Sequence, residues 1–577
     1  MSEPYVSKPQ RKNYKGRPGD ERREREALSG RHEPDPTPGE ALPPPEGPTE
    51  LIETDYQIGQ HNIEGVKPFA FDIHNPVFAV SAGMTVLFTA VVLMFPTQAE
   101  PILAGLRDFV TTRFDWFFLL SANIFVLLCF GLILSPLGSV RLGGPEATPD
   151  FSLTGWFAML FAAGMGIGLM FYGVSEPMSH FEAAFGGPTV ENGVRTDWAP
   201  LAGAAGDELG ARRLGMAATI FHWGLHPWAI YAVVSLSLAL FAYNKGLPLT
   251  LRSVFYPIFG ERVWGWPGHV IDVMAVLATL FGLATSLGIG AEQASAGLDF
   301  LFGWDATMTA KIVLIVVITA IALLSVVLGV EKGVKRLSEI NMVLAIVLLL
   351  FVMAVGSTWT IISGFFGNLA AYAQNLLPLS NPFGRDDDNF RQSWTAFYWA
   401  WWISWSPFVG MFIARVSRGR TVRQFLIAVL IVPSLISVLW MTALGGTAIT
   451  MTAGGFAGIA DAALELKLFQ MLSQLPLTAI TSLVGIVLVV VFFVTSSDSG
   501  SLVIDTIAAG GKVDAPVAQR IFWCSLEGLV AIALLLGGGL AALQAMAVST
   551  GLPFMLVLLG ACWAVVKGLL AERRELA

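Results

Sequence analysis

Phe161-Ala162-Ala163-Gly164-Met165-Gly166-Ile167-Gly168-Leu169-Met170-Phe171-Tyr172-Gly173 sits inside an apolar run, about 155–176, that is long enough to cross a bilayer as a helix. Gly164, Gly166 and Gly168 alternate, and glycine is a poor helix former. An unpaired backbone group costs several kcal/mol in lipid, so a membrane helix normally crosses unbroken. An apolar run with three glycines at its centre therefore predicts an unwound stretch where backbone approaches a ligand closely. The competing explanation is close helix packing through small residues.

A second run, Trp394-Thr395-Ala396-Phe397-Tyr398-Trp399-Ala400-Trp401-Trp402-Ile403-Ser404-Trp405-Ser406-Pro407, carries proline in its middle. Proline removes a helical hydrogen bond, so this run is also expected to be interrupted. Counting outward gives twelve apolar runs, at about 76–95, 114–135, 155–176, 214–243, 269–298, 308–330, 341–360, 393–414, 424–446, 476–497, 520–539 and 549–570. The two interrupted runs are the third and the eighth. If runs 3–7 and 8–12 are inverted repeats, each opens its half. Interrupted helices at matching positions point to a transporter's binding site.

Composition agrees. The chain has 577 residues, 54% apolar and 14% charged, where a soluble protein carries roughly 25% charge. The fold class expected is an all-α membrane protein of twelve spans. A net charge of −8 gives nucleic-acid binding no electrostatic basis. Three cysteines, all in apolar stretches, make neither a disulfide framework nor a tetrahedral metal site. Residues 1–75, rich in Pro, Glu and Arg, are expected to form a disordered tail. Residues 76–140 are two peripheral spans, 141–378 a first five-helix repeat, 379–570 a second, and 571–577 a short tail. Basic residues cluster on the N-terminal side, as in Arg415, Arg418, Arg420 and Arg423, which places both termini in the cytoplasm. Arg212 and Arg213 run against that bias. Channel and enzyme readings are weaker. No repeated filter motif appears, and no acid–base pair or metal cluster is legible mid-span.

Aromatic residues are the next signal. The fourth run contains His222-Trp223-Gly224-Leu225-His226-Pro227-Trp228-Ala229-Ile230-Tyr231. Trp223, Trp228 and Tyr231 fall on one side of a helix. Mid-span tryptophans are not interfacial belts. They either pack or surround a quaternary ammonium, which needs desolvation and π faces rather than a hydrogen-bond partner. His222 and His226 have the spacing of a metal pair, but Pro227 distorts the turn and packing is the preferred reading. Thr495-Ser496-Ser497-Asp498-Ser499 ends the tenth apolar run. These hydroxyls either bind Na⁺ as hard oxygen ligands or bond back to the preceding turn. Glu176 and Asp498 are acids in or near spans, open to function or to simple pairing.

The Gly164–Gly168 run, the Trp223/Trp228/Tyr231 set and Trp399 to Phe408 together resemble the betaine/carnitine/choline transporter family over roughly residues 70–570. The resemblance implies a leucine-transporter-like ten-helix core of two inverted repeats behind two N-terminal helices. It implies a homotrimer in a bacterial inner membrane, with an interfacial helix around 361–377 helping to hold it. It implies a secondary transporter, not an enzyme, without an organic cofactor. The substrate is a trimethylammonium compound in an aromatic box of Trp223, Trp228, Tyr231 and Trp402. Trp405 would line the path to the cytoplasm, with Gly164, Met165, Gly166 and Gly168 against the substrate.

A co-transported Na⁺ is implied at Ala162, Met165, Phe492, Thr495 and Ser496. A second Na⁺ site is implied at Thr279 and Phe408. There Leu283 replaces a threonine, and Ser286 or Thr285 stands nearby. Choline carriers of the family, which are proton-coupled, tend to place an acid where Gly168 stands, so Gly168 implies a zwitterion such as glycine betaine. A choline or dimethylsulfoniopropionate carrier is the alternative. The short C-terminal tail implies no tail-based osmosensing of the family's known kind.

Overall fold

The computed structural model describes residues 43–65, 71–164, 166–328, 331–512 and 515–575. Nearly all of it is helix. The long helices are α1 (Val77–Met94), α2 (Pro96–Leu134), α3 (Leu153–Gly164), α4 (Ile167–Gly186), α5 (Glu208–Trp223), α6 (Leu225–Ala239), α7 (Trp266–Phe302), α8 (Met308–Leu328), α9 (Glu331–Val355), α10 (Thr358–Ser380), α11 (Ala396–Val416), α12 (Val422–Ala453), α13 (Thr478–Ala508), α14 (Val517–Leu536) and α15 (Gly539–Glu575). Their ends follow local chemistry. The Asp207 carboxylate accepts from the Gly210 N–H at the start of α5 (3.0 Å). Thr421 and Gln424 close a reciprocal capping box on α12. Gly303, at φ 68°, takes the left-handed conformation that stops α7.

Among the described residues, ten helical spans are long and apolar enough to cross a membrane, or eleven if the bent pair α3–α4 is one span. The twelve expected runs all fall in helical segments, but the third, fourth and seventh are each divided between two helices. The run outside this set is α11, whose amphipathic Trp and Tyr side chains lower its hydropathy. Burial sorts the helices. The most apolar window of α5–α6 is 94% buried, against 28% in α8 and α9 and 33% in α1. The α5–α6 pair, α7 and α11 therefore form the centre, where α11 packs on α6 and α7 on α13 and α15.

The two expected interruptions come out differently. Helices α3 and α4 meet at a 66° bend around the glycine run. By contrast α11 continues without interruption through Pro407, which corrects the expectation of a break there. Proline leaves the Ile403 carbonyl without its N–H partner, and the Ser406 hydroxyl donates to that carbonyl instead (2.7 Å). Likewise α13 does not end near Thr495 but continues to Ala508, so no helix terminus frees carbonyls there.

The segment 1–75 is also corrected from residue 43 onward; residues 1–42 and 66–70 lie outside the described residues. Strands β1 (Asn62–Glu64) and β2 (Asp72–His74) pair antiparallel. The Tyr56 ring, 5% exposed, stacks on Trp264 at 4.2 Å. Glu46 pairs with Arg418, and Lys245 bridges Glu50 and Glu572 at 3.1 and 2.7 Å. Burial and the Arg252 guanidinium push His74 down to about 3. Its neutral ring accepts from Arg252 Nη1 at Nε2 (3.1 Å), while Arg252 also pairs with buried Asp272. Counting apolar residues missed this segment because ion pairs and one ring anchor it.

Candidate functional site

The bend between α3 and α4 opens onto a cavity whose empty volume, open solvent included, is about 550 Å³. Gly164, Gly166 and Gly168 line it from the bend, Trp223, Trp228 and Tyr231 from α5–α6, and Trp402 and Trp405 from α11. Met165 lies outside the described residues. The structure thus brings eight of the nine expected substrate residues to one cavity. Trp401, Ile167 and Ser286 line it too.

The rings stand as walls. Trp223 meets Trp402 at 4.8 Å and 75°, Tyr231 meets Trp402 at 6.1 Å and 76°, and Trp228 meets Tyr231 at 5.4 Å and 72°. Trp401 stacks on Trp402 at 4.9 Å. Their N–H groups are held by the protein. Trp402 Nε1 donates to the His222 carbonyl (2.9 Å), Trp405 Nε1 to the Gly282 carbonyl (2.9 Å), and Trp401 Nε1 to Ser286 Oγ (3.1 Å). Trp223 Nε1 donates to Glu176 Oε2 (2.7 Å). Fixed donors fix the ring planes, so π surface is what these four indoles have left for a ligand. The start of α4 supplies the opposite polarity. Gly166 precedes it in extended backbone with no side-chain cap, and Ile167, Gly168 and Leu169 line the cavity. A helix N-terminus presents unpaired N–H groups and a partial positive charge, which suits an anion. Gly168 is spatially required. A Cβ there would come within 2.8 Å of Trp223 and 2.9 Å of Trp401.

The expected Na⁺ residues are less assembled. Ala162 lies in the last turn of α3, while Phe492, Thr495 and Ser496 lie within α13. The Thr495 hydroxyl bonds back to the Val491 and Phe492 carbonyls (3.0 and 3.3 Å). Helix α4 also contacts α13 directly, and Ile167 and Val489 both lie beside Gly290 of α7. Of the second set, Thr279 bonds back to the Ala275 carbonyl (2.7 Å) and Phe408 packs on Trp405 at 5.5 Å. Ser286 instead stands in the cavity wall under Trp401.

One cluster was missed. The buried Glu176 carboxylate accepts from His222 Nδ1 (2.6 Å) and His180 Nε2 (3.2 Å) at one oxygen, and from Trp223 Nε1 (2.7 Å) and the Tyr398 hydroxyl (2.6 Å) at the other. His222 Nε2 meets Thr395 Oγ1 at 2.9 Å. This corrects the expectation that no acid–base pair or metal-competent cluster lies mid-span, because ligand atoms of Glu176, His180 and His222 all lie within 4.8 Å of one another. The i, i+4 spacing of Glu176 and His180 was a readable signal. His226 does not join His222. It stacks on Trp399 at 5.4 Å, and its Nε2 meets Asn123 at 2.9 Å.

The family profile described as betaine/carnitine/choline family transporter matches residues 76–574. The chain is 65% identical over 532 residues to a glycine betaine/proline/choline transporter of Vibrio parahaemolyticus, covering 92% of this chain and 96% of that protein. It is 53% identical over 533 residues to glycine betaine transporter 1 of the same organism (90% and 98% covered). It is 41% identical over 503 residues to the glycine betaine transporter OpuD of Bacillus subtilis (87% and 95% covered). A cavity of indole and phenol rings at a broken apolar helix is thus found in a chain that belongs to the betaine/carnitine/choline family of membrane transporters.

Proposed function

We propose that this protein is a Na⁺-coupled symporter of glycine betaine or a close trimethylammonium zwitterion. One observation carries the reading: the rings of Trp223, Trp228, Tyr231, Trp402 and Trp405 share a cavity with the N-terminus of α4. An onium group is attracted to π faces, and a carboxylate to helix N–H groups. A zwitterion with both groups a few atoms apart meets both at once. Glycine betaine stands in the names of the relatives above, which supports this substrate, and the first of them adds proline and choline. Choline lacks the carboxylate and leaves the helix N-terminus unmatched. The acid that would compensate at position 168 has no room between Trp223 and Trp401.

The coupling ion is proposed at the Ala162 carbonyl with Thr495 and Ser496, and a second near Thr279, Ser286 and Phe408. Thr495 keeps its oxygen lone pairs while its hydrogen bonds back, so its present contact is compatible with a cation. Glycine betaine is neutral, so each Na⁺ moves one charge, worth about 2.3 kcal/mol per 100 mV. About 1.4 kcal/mol is tenfold in concentration, so one ion sustains strong accumulation. The leucine-transporter-like inverted repeat, the homotrimer, and an inner-membrane placement with both termini cytoplasmic complete the proposal.

The test is uptake of radiolabelled glycine betaine into proteoliposomes under a Na⁺, K⁺ or proton gradient. Uptake with Na⁺ alone is expected. Proton-driven uptake overturns the ion assignment, and no uptake of any trimethylammonium compound overturns the substrate class. Gly168→Ala is a sharper probe. Its methyl must push two rings apart, and overpacking of this kind costs about 1–3 kcal/mol. Apparent affinity is expected to fall about tenfold or more while the protein elutes as a folded species. Unchanged affinity would mean that the rings are not the binding surface.

A further inference from the structure

A second cavity, of about 680 Å³, shares no lining residue with the aromatic one. It lies between the start of α5 (Arg212), the α9–α10 junction (Ser357, Thr360) and the end of α12 (Gly446, Thr447, Thr450). Arg212 is its one cationic lining residue. Arg212 Nη2 donates to the Gly446 carbonyl (3.0 Å) and to Thr450 Oγ1 (2.8 Å). A guanidinium carries five N–H donors, so three have no protein acceptor among the described residues. No carboxylate there forms an ion pair with it, and Glu208, one turn earlier, is exposed. Thr447, only 7% exposed, has its hydroxyl enclosed without a partner on the same wall. A half-buried arginine whose one counter-charge among the described residues, Glu208, stands exposed a turn away is costly in a helical membrane protein. Here it faces a polar cavity lined by threonine and serine hydroxyls. Those groups donate hydrogen bonds, and their single positive charge matches one negative charge rather than two.

We propose that this cavity binds a small monovalent anion, a halide or a carboxylate, with Arg212 as the charge partner and Thr447 as a hydroxyl donor. This site is separate from the substrate cavity, and its test is independent of transport. The purified full chain in neutral detergent is titrated at equilibrium with radiolabelled chloride, and separately with radiolabelled acetate. Saturable binding of one anion per chain is expected for at least one of them, and which one binds separates a halide site from a carboxylate site. Arg212→Gln is expected to weaken it by at least about tenfold, Arg212→Lys to retain part of it, and Trp402→Ala to leave it unchanged. Should Arg212→Gln fail to fold, Ser357→Phe fills the cavity from the α9–α10 junction with Arg212 kept in place and is expected to abolish binding. The proposal is overturned if neither anion binds saturably to the wild-type chain, or if binding survives Arg212→Gln or Ser357→Phe intact.

Discussion

Glu176→Ala is expected to yield little folded protein and no measurable uptake. The carboxylate accepts from four side chains, His180, His222, Trp223 and Tyr398, in a place fully closed to solvent. Hydrogen bonds to a charged group contribute about 1.5–3 kcal/mol each. Breaking a buried charged network by removing one partner costs about 3–5 kcal/mol. A loss of that size is a large part of the about 5–15 kcal/mol that holds a typical domain together. Glu176→Gln separates folding from function. Its volume is unchanged, but its amide nitrogen needs acceptors where the carboxylate met four donors. If the nitrogen takes the Oε2 position it confronts Trp223 Nε1, which cannot accept. That variant is expected to fold with a lowered melting midpoint and weakened betaine affinity, because in one amide orientation Trp223 loses the bond that sets its plane and in the other both histidines must change tautomer. Melting followed by size-exclusion chromatography, with uptake measured in parallel, checks both. An Ala variant that melts within a few degrees of wild type would remove Glu176 from its structural role.

The cluster also shows where sequence reading stops. Glycines 164, 166 and 168 were legible as a break because glycine's effect on a helix is local. The aromatic residues of 223–231 and 399–405 were legible because helical spacing places them on common faces. Glu176 meets partners 46 and 222 residues away, and no periodicity encodes such a meeting. Pro407 read as a break because proline's cost is local, yet the neighbouring Ser406 hydroxyl met the stranded carbonyl. The anchored stretches 43–65 and 71–75 were misread for a related reason. Their composition is polar, but Tyr56, Glu46, Glu50 and Asp72 each find partners far away in the sequence, mostly in turns and loops. Trp401 was quoted in the run but not placed in the cavity. Its ring follows from a hydrogen bond to Ser286 on α7, which only the packed structure supplies.

Trp402→Ala is expected to raise the half-saturating betaine concentration by about 30- to 100-fold while the protein still folds. The ring is the hub of the cavity, at 4.8 Å from Trp223, 4.9 Å from Trp401 and 6.1 Å from Tyr231. A desolvated cation–π contact contributes about 2 kcal/mol. Each aromatic pair adds about 0.5–1.5 kcal/mol of mutual support, part of which is lost as the neighbours relax into the gap. About 2–2.7 kcal/mol in total corresponds to the stated range. Trp402→Phe keeps a ring but not the N–H that donates to the His222 carbonyl, so it should fall between. Charge and shape are then separated with 3,3-dimethylbutyrate, in which carbon replaces the quaternary nitrogen. If the rings read charge, this isostere competes poorly against betaine in the wild type, and the gap between the two ligands narrows in Trp402→Ala. If the isostere competes as well as betaine in the wild type, the cavity recognises a tert-butyl shape by burial alone, and the cation–π account of the site is wrong.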